Sequence, residues 1–316
     1  MGEDARSALI DCVWSARQPS TIEKYGYIIR KFLGYYALTN GSLILPLQSA
    51  FVANYLLLIP NSQSVAAATL CALKWLHGFI PGLNDYNDPL NDKFLSKIVN
   101  GISRSNLKSK IRKVPLSEDM IKNVLNRLKT SSTLTELRDA LIPAFAYALL
   151  LRADELVHMN CSHISETEEG FKILIPSSKT DVYRGGKFVF ISKDNKLLTK
   201  CFGLYLARAR LKIGDNHFLF PALSFDLKSG SVGTVNRMLS YDKYRAILKS
   251  MVESLGLDNS DYGTHSCRSG GATFLASNVD QHSLMVNGRW RDPRSLGSYI
   301  EIDDKVRFEI SKKFNL

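Results

Sequence analysis

THSCRSGGAT at residues 264–273 and NGRWRDPRSLGSYIE at residues 287–301 make the rest of the chain readable. In the first, His265 and Arg268 stand three residues apart, a separation that brings two side chains to one face of a helix. In the second, Trp290 is followed nine residues later by Tyr299. Upstream, LLLRADELVHM (149–159) carries Arg152 and Glu155, and PSSKTD (176–181) carries Lys179. A His-x-x-Arg pair says little alone, because any helix can carry one, and a lone tyrosine says less. The signal is joint: Arg152, Lys179, His265, Arg268, Trp290 and Tyr299, in that order.

These six side chains suit one chemistry. A phosphodiester resists nucleophiles because its oxygens are already negative, and its pentacoordinate transition state gathers still more charge. Fixed guanidinium groups can stabilise that charge where other enzymes use metal ions, since each offers planar, forked donors and a permanent charge. Arg152 and Arg268 fit this role, and no metal is expected. Tyr299 fits the nucleophile: a phenol oxygen attacks phosphorus and stores the bond as a phosphotyrosyl ester that a later hydroxyl reverses. Losing its proton, at an ordinary pKa of about 10, needs help. His265 either takes that proton or hydrogen-bonds a phosphate oxygen. Lys179, in or beside a hairpin turn, suits protonation of the leaving 5′ oxygen if cationic neighbours lower its pKa. Trp290 offers one indole N–H to a non-bridging oxygen. Glu155, on the face of Arg152 if the helix continues, orients either Arg152 or His265. Cys267 sits beside His265 but points away from it on a helix and is read as a small buried residue.

Taken together these residues resemble the tyrosine recombinase, or phage integrase, family. Arg152 with Glu155 resembles its first arginine box, Lys179 its hairpin lysine, His265 and Arg268 its HxxR box, and the last quoted stretch its closing segment with the nucleophile. Order and spacing agree over residues 117–300, while the N-terminal part is more weakly similar to the family's core-binding domain. The resemblance implies a C-shaped clamp on duplex DNA with inverted-repeat target sites. It implies staggered cleavage through a 3′-phosphotyrosyl intermediate without metal, ATP or other cofactor, and a Holliday junction within a homotetramer on two duplexes. Off DNA, a monomer or weak oligomer is expected. SGGAT and GRW resemble recombinases of eukaryotic mobile elements, DIRS-like or Crypton-like. There are departures: Trp290 stands where most of the family has histidine, and Leu150 and Ala153 replace a small and an aliphatic residue flanking the first arginine. A domesticated, inactive DNA-binding protein and a type IB topoisomerase are the alternatives. Retention of all six residue types favours an enzyme, and the separate N-terminal bundle and the Trp-to-Tyr spacing favour a recombinase.

The rest of the chain agrees with a polyanionic partner. Among 316 residues, 41 Lys and Arg face 30 Asp and Glu, a formal charge of +11, and both halves are net basic. Five cysteines without a CxxC pair suggest neither a disulfide framework nor a zinc ribbon. The N-terminus lacks a basic start followed by an apolar run, and no segment has the roughly 20 apolar residues of a membrane span. An intracellular protein without membrane contact is expected, in the nucleus if eukaryotic and otherwise in the cytoplasm. Four amphipathic segments predict a small N-terminal bundle, the first opened by a capping box at Ser20 and Glu23. Arg104, Lys108, Lys110, Arg112 and Lys113 then form a basic stretch closed by Pro115, read as a linker. Residues 1–112 are thus expected as a helical core-binding domain and 113–316 as a catalytic domain, mainly α with a small antiparallel β-sheet. Lys108, Lys110, Arg112 and Lys113 in the linker, Lys24, Arg30 and Lys31 on the first helix, and Arg289 and Arg291 beside Trp290 are the candidate DNA contacts; each has solvent as its alternative partner.

Overall fold

The computed structural model describes residues 16–40, 43–59, 63–105, 112–176, 185–226, 230–300 and 312. The chain divides into two compact units, Met1–Ile111 and Arg112–Leu316. Both are mainly helical, and the second carries the small antiparallel sheets.

The first unit holds α1 (Pro19–Asn40), α2 (Ser49–Leu58), α3 (Gln63–His77) and α4 (Lys93–Ser105). The expected capping box is corrected: α1 opens at Pro19, and the Gln18 carbonyl accepts the N–H groups of Thr21 and Ile22. A proline suits a first helical turn because its φ is already helical and its missing N–H would have no partner there. Phe32, Leu56, Leu73, Leu95 and Val99 form the core, with the Phe32 and Tyr55 rings edge to face at 5.1 Å. His77, 1% exposed, links the segment before α2 to the segment after α3. Its Nε2 accepts the Leu47 N–H at 3.0 Å, so Nδ1 carries the proton and donates to Asp88 at 2.7 Å.

The second unit is built around α6 (Leu134–Ala148), which follows α5 (Glu118–Asn126). A reciprocal capping box between Thr133 and Glu136 starts α6. Leu137, Leu141 and Phe145 of α6 pack against Phe202 and Tyr205 of α8 (Lys196–Ala209). Between them lie α7 (Ala153–Val157) and a sheet of β1 (Ile164–Thr167), β2 (Gly170–Ile175) and β3 (Lys187–Ser192), in that order. The β2–β3 pairing sets Phe171 opposite Ile191 and Ile173 opposite Val189. A second hairpin, β4 (Pro221–Asp226) with β5 (Ser231–Met238), leads to α9 (Tyr241–Ser254), α10 (Ser266–Ala276), α11 (Gln281–Gly288) and the short α12 (Pro293–Gly297). Periodicity predicts β2, β3 and the longer helices; β1, β4, β5 and α12 escape it, being short or lacking a clean alternation. Among the described residues no helix is long and apolar enough to cross a membrane.

Candidate active site

Two left-handed turns, at Leu150 and Arg289, meet at this site. After α6 the backbone turns at Leu150, whose φ of 50° is left-handed, and α7 then starts with Arg152 as its N-cap. Arg152 and Glu155 are therefore not neighbours on a continuing helix, which corrects that expectation. They are N-cap and third helical residue, so the Glu155 carboxylate accepts the Arg152 backbone N–H at 2.9 Å and its Nη1 at 2.7 Å. Arg152 shows 18% of its side chain to solvent, Glu155 only 2%.

Arg268 enters from α10 and is fully buried. Its guanidinium donates to the carbonyls of Leu150 and Gly288, and Trp290 lies over it with the ring centroid 4.3 Å from Cζ. The Tyr299 ring is 5.2 Å from the same carbon, 5.4 Å from the Trp290 ring and 6.0 Å from the His265 ring. His265 is exposed at the start of α10. Desolvation and the charges of Arg268 and Arg152 lower its pKa, which keeps the imidazole neutral and able to accept a proton near neutral pH. Burial, with the charges of Arg152 and Arg289, also disfavours the charged form of Arg268. Arginine's intrinsic basicity is high enough that it stays cationic.

Among the described residues four buried side-chain polar atoms lack a partner, and three belong to this cluster: Arg268 Nε, Arg289 Nε and Trp290 Nε1. Unmade hydrogen bonds of buried donors cost about 1–3 kcal/mol each, so this cluster is held together against a local cost. Three glycines make the packing possible. A Cβ at Gly270 would collide with the Leu116 carbonyl, one at Gly271 with that of Tyr147, and one at Gly288 with the Trp290 ring. Glycine inside a helical pattern costs about 1 kcal/mol relative to alanine. That cost is the signal by which the sequence could have marked them.

Arg152, His265, Arg268, Trp290 and Tyr299 thus come together, with Glu155 behind Arg152. Lys179 lies outside the described residues, as do Lys108 and Lys110. Arg289, expected to face DNA, is corrected: it is 7% exposed, turned inward, and its Nη2 meets Glu155 at 2.8 Å. Arg112 and Lys113 are not free tethers either. Arg112 donates to the carbonyls of Gly297 and Ser298, and Lys113 to that of Ser260 at 2.5 Å. Lys24, Arg30, Lys31 and Arg291 are exposed, with the Lys31 ammonium 4.7 Å from the Tyr27 ring centroid. Cys267 is fully buried, which pushes its thiol up to about 12 and removes it as a nucleophile.

A helical unit whose buried arginines gather around a tyrosine defines a recognisable class, and the comparisons give its family. Residues 114–305 match the Phage integrase family, the tyrosine recombinases, and the chain belongs to it. Among solved structures, the XerH site-specific recombinase bound to palindromic difH substrate, a post-cleavage complex, superposes with a TM-score of 0.65 at 17% identity, covering 93% of this chain and 79% of that one. The Tn1549 transposon integrase (residues 82–397, Y379F) in complex with transposon right end DNA gives 0.62 at 13%, covering 95% of each chain. A lambda integrase dimer bound to a COC′ core site gives 0.52 at 15%, covering 90% and 89%. At these identities the likeness is one of fold. No curated protein matches the sequence.

Proposed function

We propose that this protein is a site-specific DNA recombinase that cuts and rejoins strands through a 3′-phosphotyrosyl bond at Tyr299. The observation that carries the reading is the approach of the Tyr299 ring to the Arg268 guanidinium, 5.2 Å away, beside His265 and Trp290 and with the charge of Arg152 acting on both Arg268 and His265. Arg152 and Arg268 bind the non-bridging oxygens, Trp290 donates its unpartnered indole N–H to one of them, and neutral His265 accepts the phenol proton or hydrogen-bonds the phosphate. Lys179 protonates the departing 5′ oxygen. Fixed cations replace metal ions throughout. Four protomers act on two duplexes, in the manner of a mobile-element enzyme, with the exposed Lys24, Arg30, Lys31 and Arg291 on phosphates.

The test is covalent capture. Nicked duplexes from the flanks of the encoding gene are incubated with the full chain in EDTA, without nucleotide, and the cleavage site is mapped from the trapped DNA. A protein–DNA adduct that is absent in Tyr299→Phe is the expected result. Persistence of the adduct in that variant means that another residue attacks. A wild-type protein that binds the same DNA but never forms the adduct overturns the enzymatic reading.

A further inference from the structure

The Glu155 carboxylate has two arginine partners, and only one of them reaches the surface. Oε1 accepts Arg152 Nη1 at 2.7 Å, and Oε2 accepts Arg289 Nη2 at 2.8 Å besides the Arg152 backbone N–H. Arg289 also donates to the carbonyls of Leu149 at 3.3 Å, Leu150 at 2.9 Å and Asn287 at 3.2 Å. It thereby ties the end of α6, the start of α7 and the end of α11 to one guanidinium. Its side chain is 3% exposed, against 18% for Arg152.

The backbone argues that this side chain is selected for its bonds. Arg289 has a φ of 61°, a left-handed conformation that is strained for an L-residue and that glycine or asparagine adopts more readily. The glycine of this turn is spent one position earlier, where the Trp290 ring crosses Gly288. An arginine held in the strained position is explained by the forked donors that reach four acceptors from there, a geometry the single ammonium of lysine cannot reproduce. Electrostatics supplies the consequence. An Arg152–Glu155 pair alone is neutral, whereas Arg152–Glu155–Arg289 carries one net positive charge, and its solvent-facing member is Arg152.

We propose that Arg289 is a positioning residue for strand cleavage: by holding the Glu155 carboxylate, it fixes Arg152 and leaves that guanidinium's charge for the scissile phosphate. This rests on the cleavage reading above and extends it to a residue that touches no DNA. Burial pushes the Glu155 carboxyl up, but Arg289 and then Arg152 outweigh it and hold the group below its ordinary value, consistent with a carboxylate that stays charged between them.

The experiment measures single-turnover adduct formation on the mapped, nicked duplex, together with affinity for that duplex and thermal unfolding. Wild type, Tyr299→Phe, Glu155→Gln, Arg289→Lys, Arg289→Met and the Glu155→Gln/Arg289→Met double variant are compared. Arg289→Met is expected to keep wild-type DNA affinity and salt dependence while forming the adduct about a hundredfold more slowly, the scale of loss that a displacement of about 1 Å can cause. Arg289→Lys is expected not to restore the rate. The double variant, which leaves no unpaired buried carboxylate charge and so keeps the test open should thermal unfolding show Arg289→Met unfolded, is expected to react no more slowly than Glu155→Gln alone, because both changes act through one group. A double variant slower than Glu155→Gln overturns the proposal, as does weakened DNA binding with a reduced salt slope in folded Arg289→Met, the mark of a direct phosphate contact. Absence of any wild-type adduct overturns both readings; a Tyr299-dependent adduct with an unchanged Arg289→Met rate overturns this one alone.

Discussion

Leu150 shows how one residue reconciles two opposed demands. Its left-handed φ favours glycine, yet its side chain is fully buried with Ala272, Leu284, Trp290 and Leu296. Relief of the backbone would return about 1–2 kcal/mol, while deleting a buried leucine side chain costs about 2–5 kcal/mol. Packing wins. Leu150→Gly is therefore expected to lower the unfolding free energy by about 2 kcal/mol, the difference between the midpoints of those two ranges, in a denaturant titration. An unchanged or raised midpoint would mean that the strained turn, and not the packing under Trp290, dominates there. The Leu150 carbonyl adds a second role, since it accepts from both Arg268 and Arg289.

At the scale of elements, α10 carries the HxxR pair, and its depth is set by glycines. Gly270 lies against the Leu116 carbonyl and Gly271 against that of Tyr147, so α10 touches both the strand-like entry to α5 and the last turn of α6. Backbone on the far side cannot yield as a flexible side chain would. Gly270→Ala is expected to destabilise the second unit by about 1–3 kcal/mol despite alanine's better helix propensity, read as a lower melting temperature. A higher melting temperature would mean that propensity outweighs the close approach. The entry segment is further held by Val114 N–H to the Asp261 carbonyl at 2.8 Å and Leu116 N–H to that of Ser266 at 3.0 Å. That is why Lys113 and Arg112 run along this unit, the latter ending on the carbonyls just before Tyr299.

For the whole molecule the formal charge of +11 bears on association, not on fold. If the protein binds duplex DNA through phosphates, each neutralised phosphate steepens the fall of log K with log salt by about 0.9, and about 6–10 contacts lower affinity by about 10³–10⁵ between 50 and 200 mM salt. Titration of a labelled duplex across that range is expected to give a slope of this order. A slope near zero would leave the exposed Lys24, Arg30, Lys31 and Arg291 without the role proposed for them.

How much of this was legible follows from which interactions are local. The order of Arg152, His265, Arg268, Trp290 and Tyr299 is written in the chain, as are the amphipathic helices and the β2–β3 hairpin, because periodicity and residue chemistry are properties of short segments. The inward turn of Arg289, the break between α6 and α7 and the orphaned donors around Tyr299 are not. They depend on left-handed turns at Leu150 and Arg289 and on carbonyls brought together from distant segments, Leu149 and Leu150 meeting a residue about 140 positions later. A charged residue in a loop reads as a surface group until tertiary structure supplies the buried carboxylate that pairs it. Sequence alone determined the residue types of the cluster and the helices that carry them; tertiary structure decided which arginine reaches solvent and which is buried behind it, since burial and long-range pairing exist only once the chain has folded.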